Sequence, residues 1–149
     1  MSKQAESCRI IFDKGRNIAR WVCTQLGYAA DEISDGQALG FAIGENLIGG
    51  VIYHNIRYGR DLWLTIYTAN KHWCSRKNLK IIFGIAFDVY KVRRISILVN
   101  SQNFTCLRFI ERLGFKREGC LRSYDDTGTD SYIYGMLQSE NLWKGNKNE

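Results

Sequence analysis

Residues 72–118 read HWCSRKNLKIIFGIAFDVYKVRRISILVNSQNFTCLRFIERLGFKRE, and this stretch decides the fold. Ser75 is a residue type that caps helices, and after it Leu79, Ile82, Phe83, Ala86, Val89 and Tyr90 recur at helical spacing. A helix is therefore expected from Ser75 to Tyr90, with Gly84 as a weak point inside it. Arg94 to Asn100 sets Ile95, Ile97 and Val99 on one side and Ser96 and Leu98 on the other, the period of a mostly buried strand. Asn103 then opens a second helix whose buried face is Leu107, Ile110 and Leu113, and Gly114 falls where a left-handed residue closes a helix. A strand enclosed by two helices points to an α/β layer rather than a bundle.

Upstream, the short run CRIIF reads as an edge strand, and a helix is expected to begin at Asp13, with Ile18, Trp21, Val22, Gln25 and Leu26 at helical spacing and a stop at Gly27. Tyr28 to Gly36 is polar and acidic, a loop or short helix. Three strand-like segments follow, Ala38 to Ile43, Gly49 to Ile56 and Leu62 to Thr68. The first two are joined by G44-E-N-L47, a tight turn with Glu45 and Asn46 at its tip, and the second and third by R57-Y-G-R60. Downstream, Phe115 to Tyr124 and Ser131 to Gln138 supply closing strands around the turn D125-D-T-G-T-D130. The expected architecture is a single α/β (α+β) domain over residues 1–144, a mixed, mostly antiparallel central sheet flanked by helices, with residues 145–149 as a disordered tail.

Composition narrows the class. At 149 residues, with 45% hydrophobic and 13% aromatic content, the chain can bury a proper core and is not a disordered sequence. The N-terminal MSKQAESCRI does not look like a signal peptide, and the longest apolar run, Leu79 to Ala86, is interrupted by Lys80 and far too short to cross a bilayer. Five scattered cysteines without a CxxC pair, Cys8, Cys23, Cys74, Cys106 and Cys120, read as reduced thiols of a cytoplasmic protein. With two histidines and no ligand spacing, no metal site is expected. The net charge of +6 is unevenly placed: Lys71 to Arg122 holds twelve basic and three acidic residues, +9, which leaves −3 for the remainder. Such a concentrated positive field fits a phosphorylated cofactor, nucleic acid or an acidic protein surface, or it is a solvated face kept for solubility.

The second helix carries a more specific likeness. N103-F-T-C-L-R-F-I-E-R-L-G-F115, followed by K-R-E-G-C-L-R122, resembles the signature of the GNAT superfamily of acetyl-CoA-dependent N-acetyltransferases, with Asn103, Leu113-Gly114-Phe115, Gly119 and Arg122 in register. Y134-G-M-L-Q-S-E140 and Trp143 are similar to the last strand and tail of its ribosomal-protein-acetylating branch and of small phage-encoded relatives. The match covers roughly half of the chain, while the first seventy residues agree in element order. It implies a GNAT-like domain, acetyl-CoA (coenzyme A) as donor, and an amine acceptor, a protein N-terminus or lysine ahead of a small amine, attacked directly in a ternary complex. A homodimer is compatible with the family; no membrane partner is implied.

Acetyl transfer from a thioester needs an anchor for the pyrophosphate, donors for the carbonyl oxygen, a base for the amine and an acid for the thiolate. By resemblance the anchor is the N-terminus of the first core helix, where helix N–H groups favour phosphate. The family's loop there carries two glycines. In this chain their places hold Lys77 and Leu79, while Ser75, Arg76, Lys77, Asn78 and Lys80 supply side-chain donors instead. The carbonyl donors are expected among the backbone N–H groups of Tyr67, Thr68, Ala69 and Asn70, and Asn103 matches a cofactor contact while serving as a cap. Asp61 is the favoured base, His54 the second candidate, with Glu45 more remote and His72 beside the anchor. Ile110 stands where many members place the acidic tyrosine, with Tyr124 and Tyr134 as stand-ins, and Trp21 borders the acceptor or belongs to the core. Two other readings remain open: a degenerate GNAT-fold protein that binds a partner protein through an altered anchor loop, and a nucleic-acid-binding module. Against the latter stands the lack of any RRM, zinc or helix-turn-helix signature.

Overall fold

A computed structural model describes residues 8–69 and 75–145. The expectations that fall on Asn70, Lys71, His72, Trp73, Cys74 and the last four residues lie outside these. The strands β1 (Arg9–Phe12), β2 (Gln37–Ile43), β3 (Asn46–Arg57), β4 (Asp61–Thr68), β5 (Arg94–Asn100), β6 (Lys116–Leu121) and β7 (Ser131–Leu137) form one mixed sheet in the order β1-β2-β3-β4-β5-β7-β6. The helices are α1 (Asn17–Gln25), α2 (Arg76–Gly84) and α3 (Phe104–Leu113). This is the α/β architecture expected, with β7 inserted antiparallel between β5 and β6.

By contact density the chain forms two units, Met1–Asn55 with Thr65–Leu79, and Ile56–Leu64 with Lys80–Glu149. In the first, Asp13 does not start the helix but caps it from upstream: its carboxylate accepts from the N–H groups of Ile18 (3.0 Å) and Ala19 (3.1 Å). The buried stripe of α1, Ile18, Ala19, Val22 and Cys23, packs on Ala38 and Ile52, with Trp21 and Tyr67 at its margin. Gly50 permits this approach, because a Cβ there would lie 2.5 Å from Val22 Cγ2. The β2–β3 ladder pairs Ile43 with Asn46, so the tip of that turn is Gly44-Glu45 and Asn46 belongs to the strand. Gly44 takes the left-handed φ of 60° that so tight a turn demands.

In the second unit β4 enters parallel to β5, with Asp61↔Arg94, Leu62↔Ile95 and Trp63↔Ser96 in register. The helix expected as far as Tyr90 changes character after Gly84 into a π-turn over Ile85–Val89, in which the Tyr90 N–H donates to the Ile85 carbonyl at 3.0 Å. At α3 the expectation holds at both ends: Asn103 Oδ1 accepts from the Cys106 N–H at 3.2 Å, and Gly114 sits at φ 110°. Phe83 meets Phe115 with ring centroids 6.0 Å apart, and the Trp143 indole N–H donates to the Leu113 carbonyl at 2.8 Å, tying the last turn to the end of α3. Strand β6 is shorter than expected. It stops before Ser123, which has φ 54° and donates its N–H to Asp130 Oδ1. Among the described residues no helix is long and apolar enough to cross a membrane, and no three His, Cys, Asp or Glu groups could hold a metal.

Candidate active site

The β3–β4 hairpin carries both candidate bases and treats them differently. Asp61 opens β4 and forms an ion pair with Arg57 across the turn; its side chain is 13% exposed. Its Oδ1 accepts from the Arg57 Nε–H, so the carboxylate is engaged within the hairpin itself. At ~3.3 Å per residue, Asp61 also stands ~23 Å up the strand from Thr68, the end at which the carbonyl donors are expected. His54 is half-buried on β3, its Nε2 2.9 Å from Thr65 Oγ1 on β4. Burial lowers the proton affinity of His54 below the usual histidine value, while the charge of Asp35 and a hydrogen bond with the Asn55 side chain oppose that shift. The ring is thus neutral at pH 7 and able to accept a proton. Thr65 lies three residues from Thr68, ~10 Å along the strand. Glu45 sits in the β2–β3 turn, exposed.

The end of β4 narrows the donors for a carbonyl oxygen. Ala69 gives its N–H to the Ile48 carbonyl at 2.8 Å, and the Tyr67 carbonyl lies on the β3 side against Gly49. Alternation along the strand then directs the Thr68 N–H to the opposite side. Of the three described candidates Thr68 is the one so placed, and Ala69 is not. The Tyr67 ring packs edge-on against Trp21, centroids 5.5 Å apart, so Trp21 is an aromatic of the α1 face rather than an isolated surface ring.

The candidate anchor is the start of α2. Ser75 caps it, its Oγ accepting from the Asn78 N–H (3.1 Å) and its carbonyl from the Leu79 N–H (2.9 Å). Arg76, Lys77 and Lys80 are exposed, whereas Asn78 and Leu79 are buried at 3% and 2%. The Leu79 side chain therefore points into the core and does not fill the space before the helix, and the Asn78 side chain is engaged with Cys8, whose thiol proton affinity burial raises and this bond lowers. The two substitutions for glycine thus differ in effect: Leu79 is a core residue, and Lys77 adds a cation at the helix mouth. Exposed cations on a capped helix start fit a phosphorylated donor such as coenzyme A. Asn103 is exposed at the start of α3 with its oxygen in the cap. Ile110 is fully buried and takes no part in proton chemistry; Tyr134 is buried with its hydroxyl 3.2 Å from Arg117 Nε, and Tyr124 is exposed.

Solved structures share this fold over nearly the whole chain. A single-residue variant of SpeG, a spermidine N-acetyltransferase from Vibrio cholerae, superposes with a TM-score of 0.72 over 96% of this chain and 99% of its own, at 18% identity. A dodecameric spermidine N-acetyltransferase from the same organism, in an intermediate state, gives 0.71 over 91% and 96%, at 20% identity. The chain has a GNAT fold. No protein-family model matches the chain, and no curated protein matches it in sequence. Within the GNAT fold, Thr65 is the residue that sequence reading misses, since a threonine in a strand is ordinary β-former chemistry until its hydroxyl is seen on a histidine.

Proposed function

We propose that the chain is an N-acetyltransferase that transfers the acetyl group of acetyl-CoA to an amine by direct attack in a ternary complex, with His54 as the base. The observation that carries this is the pairing of neutral His54 with Thr65 on the strand that leads to the Thr68 N–H, in a chain with the GNAT fold over nearly its whole length. Coenzyme A supplies the activated thioester. Arg76 and Lys77 at the start of α2 would hold its phosphates, and Thr68 would donate to the thioester oxygen. Asp61, engaged with Arg57, leaves the base assignment to His54.

The acceptor in this reading is a small cationic amine. The structures that share the fold are named for spermidine, and Glu32 and Asp35 add acidic charge to the unit that carries His54, Asp31 being paired with Arg20. A protein N-terminus or lysine is the second reading, favoured by the likeness of residues 134–143 to the ribosomal-protein-acetylating branch. Incubation with acetyl-CoA and a panel of spermidine, an N-terminal peptide and a lysine peptide, followed by mass spectrometry, is expected to show a gain of ~42 Da, one acetyl group, on spermidine. A gain on the peptides alone transfers the acceptor to the second reading, and no gain on any amine removes the enzyme reading.

A further inference from the structure

We propose that Thr65, His54 and Asn55 form a proton relay in which the Thr65 hydroxyl meets the acceptor amine, the His54 ring takes the proton, and Asn55, pinned by Asp35, fixes the ring. The proposal rests on the N-acetyltransferase reading above and adds residues that reading does not need. Its first support is the 2.9 Å contact between Thr65 Oγ1 and His54 Nε2, which leaves Nδ1 as the ring nitrogen turned away from Thr65. The second is the backbone of Asn55 itself. It sits within β3 at φ 48°, left-handed, a conformation few side-chain-bearing residues adopt and asparagine tolerates. The third is what holds it there: the Asn55 N–H donates to Asp35 Oδ2 at 2.7 Å. Gly36, at φ 91°, lies so close to β3 that a Cβ would stand 1.8 Å from the Tyr53 carbonyl oxygen, and Gln37 then begins the ladder opposite Tyr53. The chain from Asp35 to Gln37 is thus laid directly on the backbone that carries His54.

The relay requires one tautomer. In it neutral His54 keeps its proton on Nδ1 and presents the Nε2 lone pair to the Thr65 hydroxyl, which donates to it. As the amine nitrogen bonds the thioester carbon it becomes a strongly acidic ammonium. One of its protons passes to Thr65 Oγ while the Thr65 hydroxyl proton passes to Nε2. Thr65 ends as a hydroxyl, His54 as an imidazolium stabilised by Asp35, and the neutral nitrogen remains in the tetrahedral adduct, which expels the coenzyme A thiolate. The imidazolium then returns its proton to solvent or to that thiolate.

The test reads the ring directly. The chain has two histidines, so ¹⁵N-resolved NMR with His54→Gln as the assignment control isolates the His54 ring. The expected wild-type signature is the Nδ1–H tautomer. Asn55→Gly preserves the left-handed backbone, so melting temperature and circular dichroism should stay as in wild type while the tautomer becomes mixed and kcat falls ~10-fold with the KM for acetyl-CoA unchanged. Thr65→Val is expected to lower kcat ~10²-fold, and Thr65→Ser to restore most of it. Asp35→Asn should lower the His54 pKa and move the acid limb of the kcat profile to lower pH. An Nε2–H tautomer in wild type, or full kcat in Thr65→Val, overturns the relay. If no amine is acetylated at all, the function reading falls, and the tautomer still decides the geometry.

Discussion

His54 and Asp61 stand on the same hairpin, seven residues apart in sequence, and the difference between them is one of partners. Asp61 faces a guanidinium, which engages its Oδ1 in an ion pair within the hairpin. His54 faces a hydroxyl, a neutral partner that can give or take a hydrogen bond, in a half-buried setting that weakens its hold on a proton. Proton transfer to His54 breaks no ion pair, whereas at Asp61 the Arg57 guanidinium already holds Oδ1.

The sharpest way to break this comparison is to neutralise each candidate. His54→Gln is expected to lower kcat ~10²-fold or more with acetyl-CoA affinity retained, whereas Asp61→Asn should leave kcat within a few-fold of wild type. A reversed outcome would return the base to Asp61 and make the Arg57 pair a feature of the resting state only.

A second prediction concerns stability at the loop that braces His54. Gly36→Ala meets the Tyr53 carbonyl and an unfavourable φ together, so it should cost about 3 kcal/mol, read as a lower urea midpoint with an unchanged slope. Gly50→Ala meets the Val22 and Ile18 side chains and the edge of the Leu39 carbonyl, and is expected at about 1–2 kcal/mol.

The fold is legible in the sequence where local chemistry and tertiary packing agree. Asn103 and Gly114 bracket α3 because one side chain satisfies an orphan N–H and one residue type accepts the left-handed turn, and both facts are visible in sequence. Arg94 to Asn100 reads as a strand because its alternation matches burial on both faces. What escapes depends on partners distant in the chain. Asp13 reads as a helix start because its reach to Ile18 and Ala19 depends on the intervening loop. The π-turn after Gly84 leaves no mark in the apolar spacing. At the candidate site the ranking of Asp61 above His54 comes from the GNAT resemblance, the sequence does not show that Arg57 closes on Asp61, and Thr65 carries no signal until paired.

Acid titration sharpens the comparison further. An unfolded histidine titrates near ~6.5, and folded His54 holds its proton less tightly. The unfolded chain therefore binds more protons, so stability is full above that pH and declines as pH falls from there through the folded value, levelling below it. His54→Gln should flatten this part of the curve of melting temperature against pH, and Asp61→Asn should not. The smallest expected effect is at the α3 cap, where Asn103→Ala should cost about 1 kcal/mol, ~2–4 °C in melting temperature, with little change in kcat.

The central claim, that a chain with lysine and leucine in place of the family's glycines still binds acetyl-CoA at the start of α2, is tested most directly by calorimetric titration of acetyl-CoA into the wild type and into Arg76→Glu/Lys77→Glu. The expected result is binding by the wild type, with a rise of several degrees in melting temperature at ~100 times the Kd, where the linkage is ~2.7 kcal/mol, and none by the double variant. No heat and no shift in the wild type at millimolar acetyl-CoA would contradict the account, and would leave a GNAT-fold protein that binds a partner by other means.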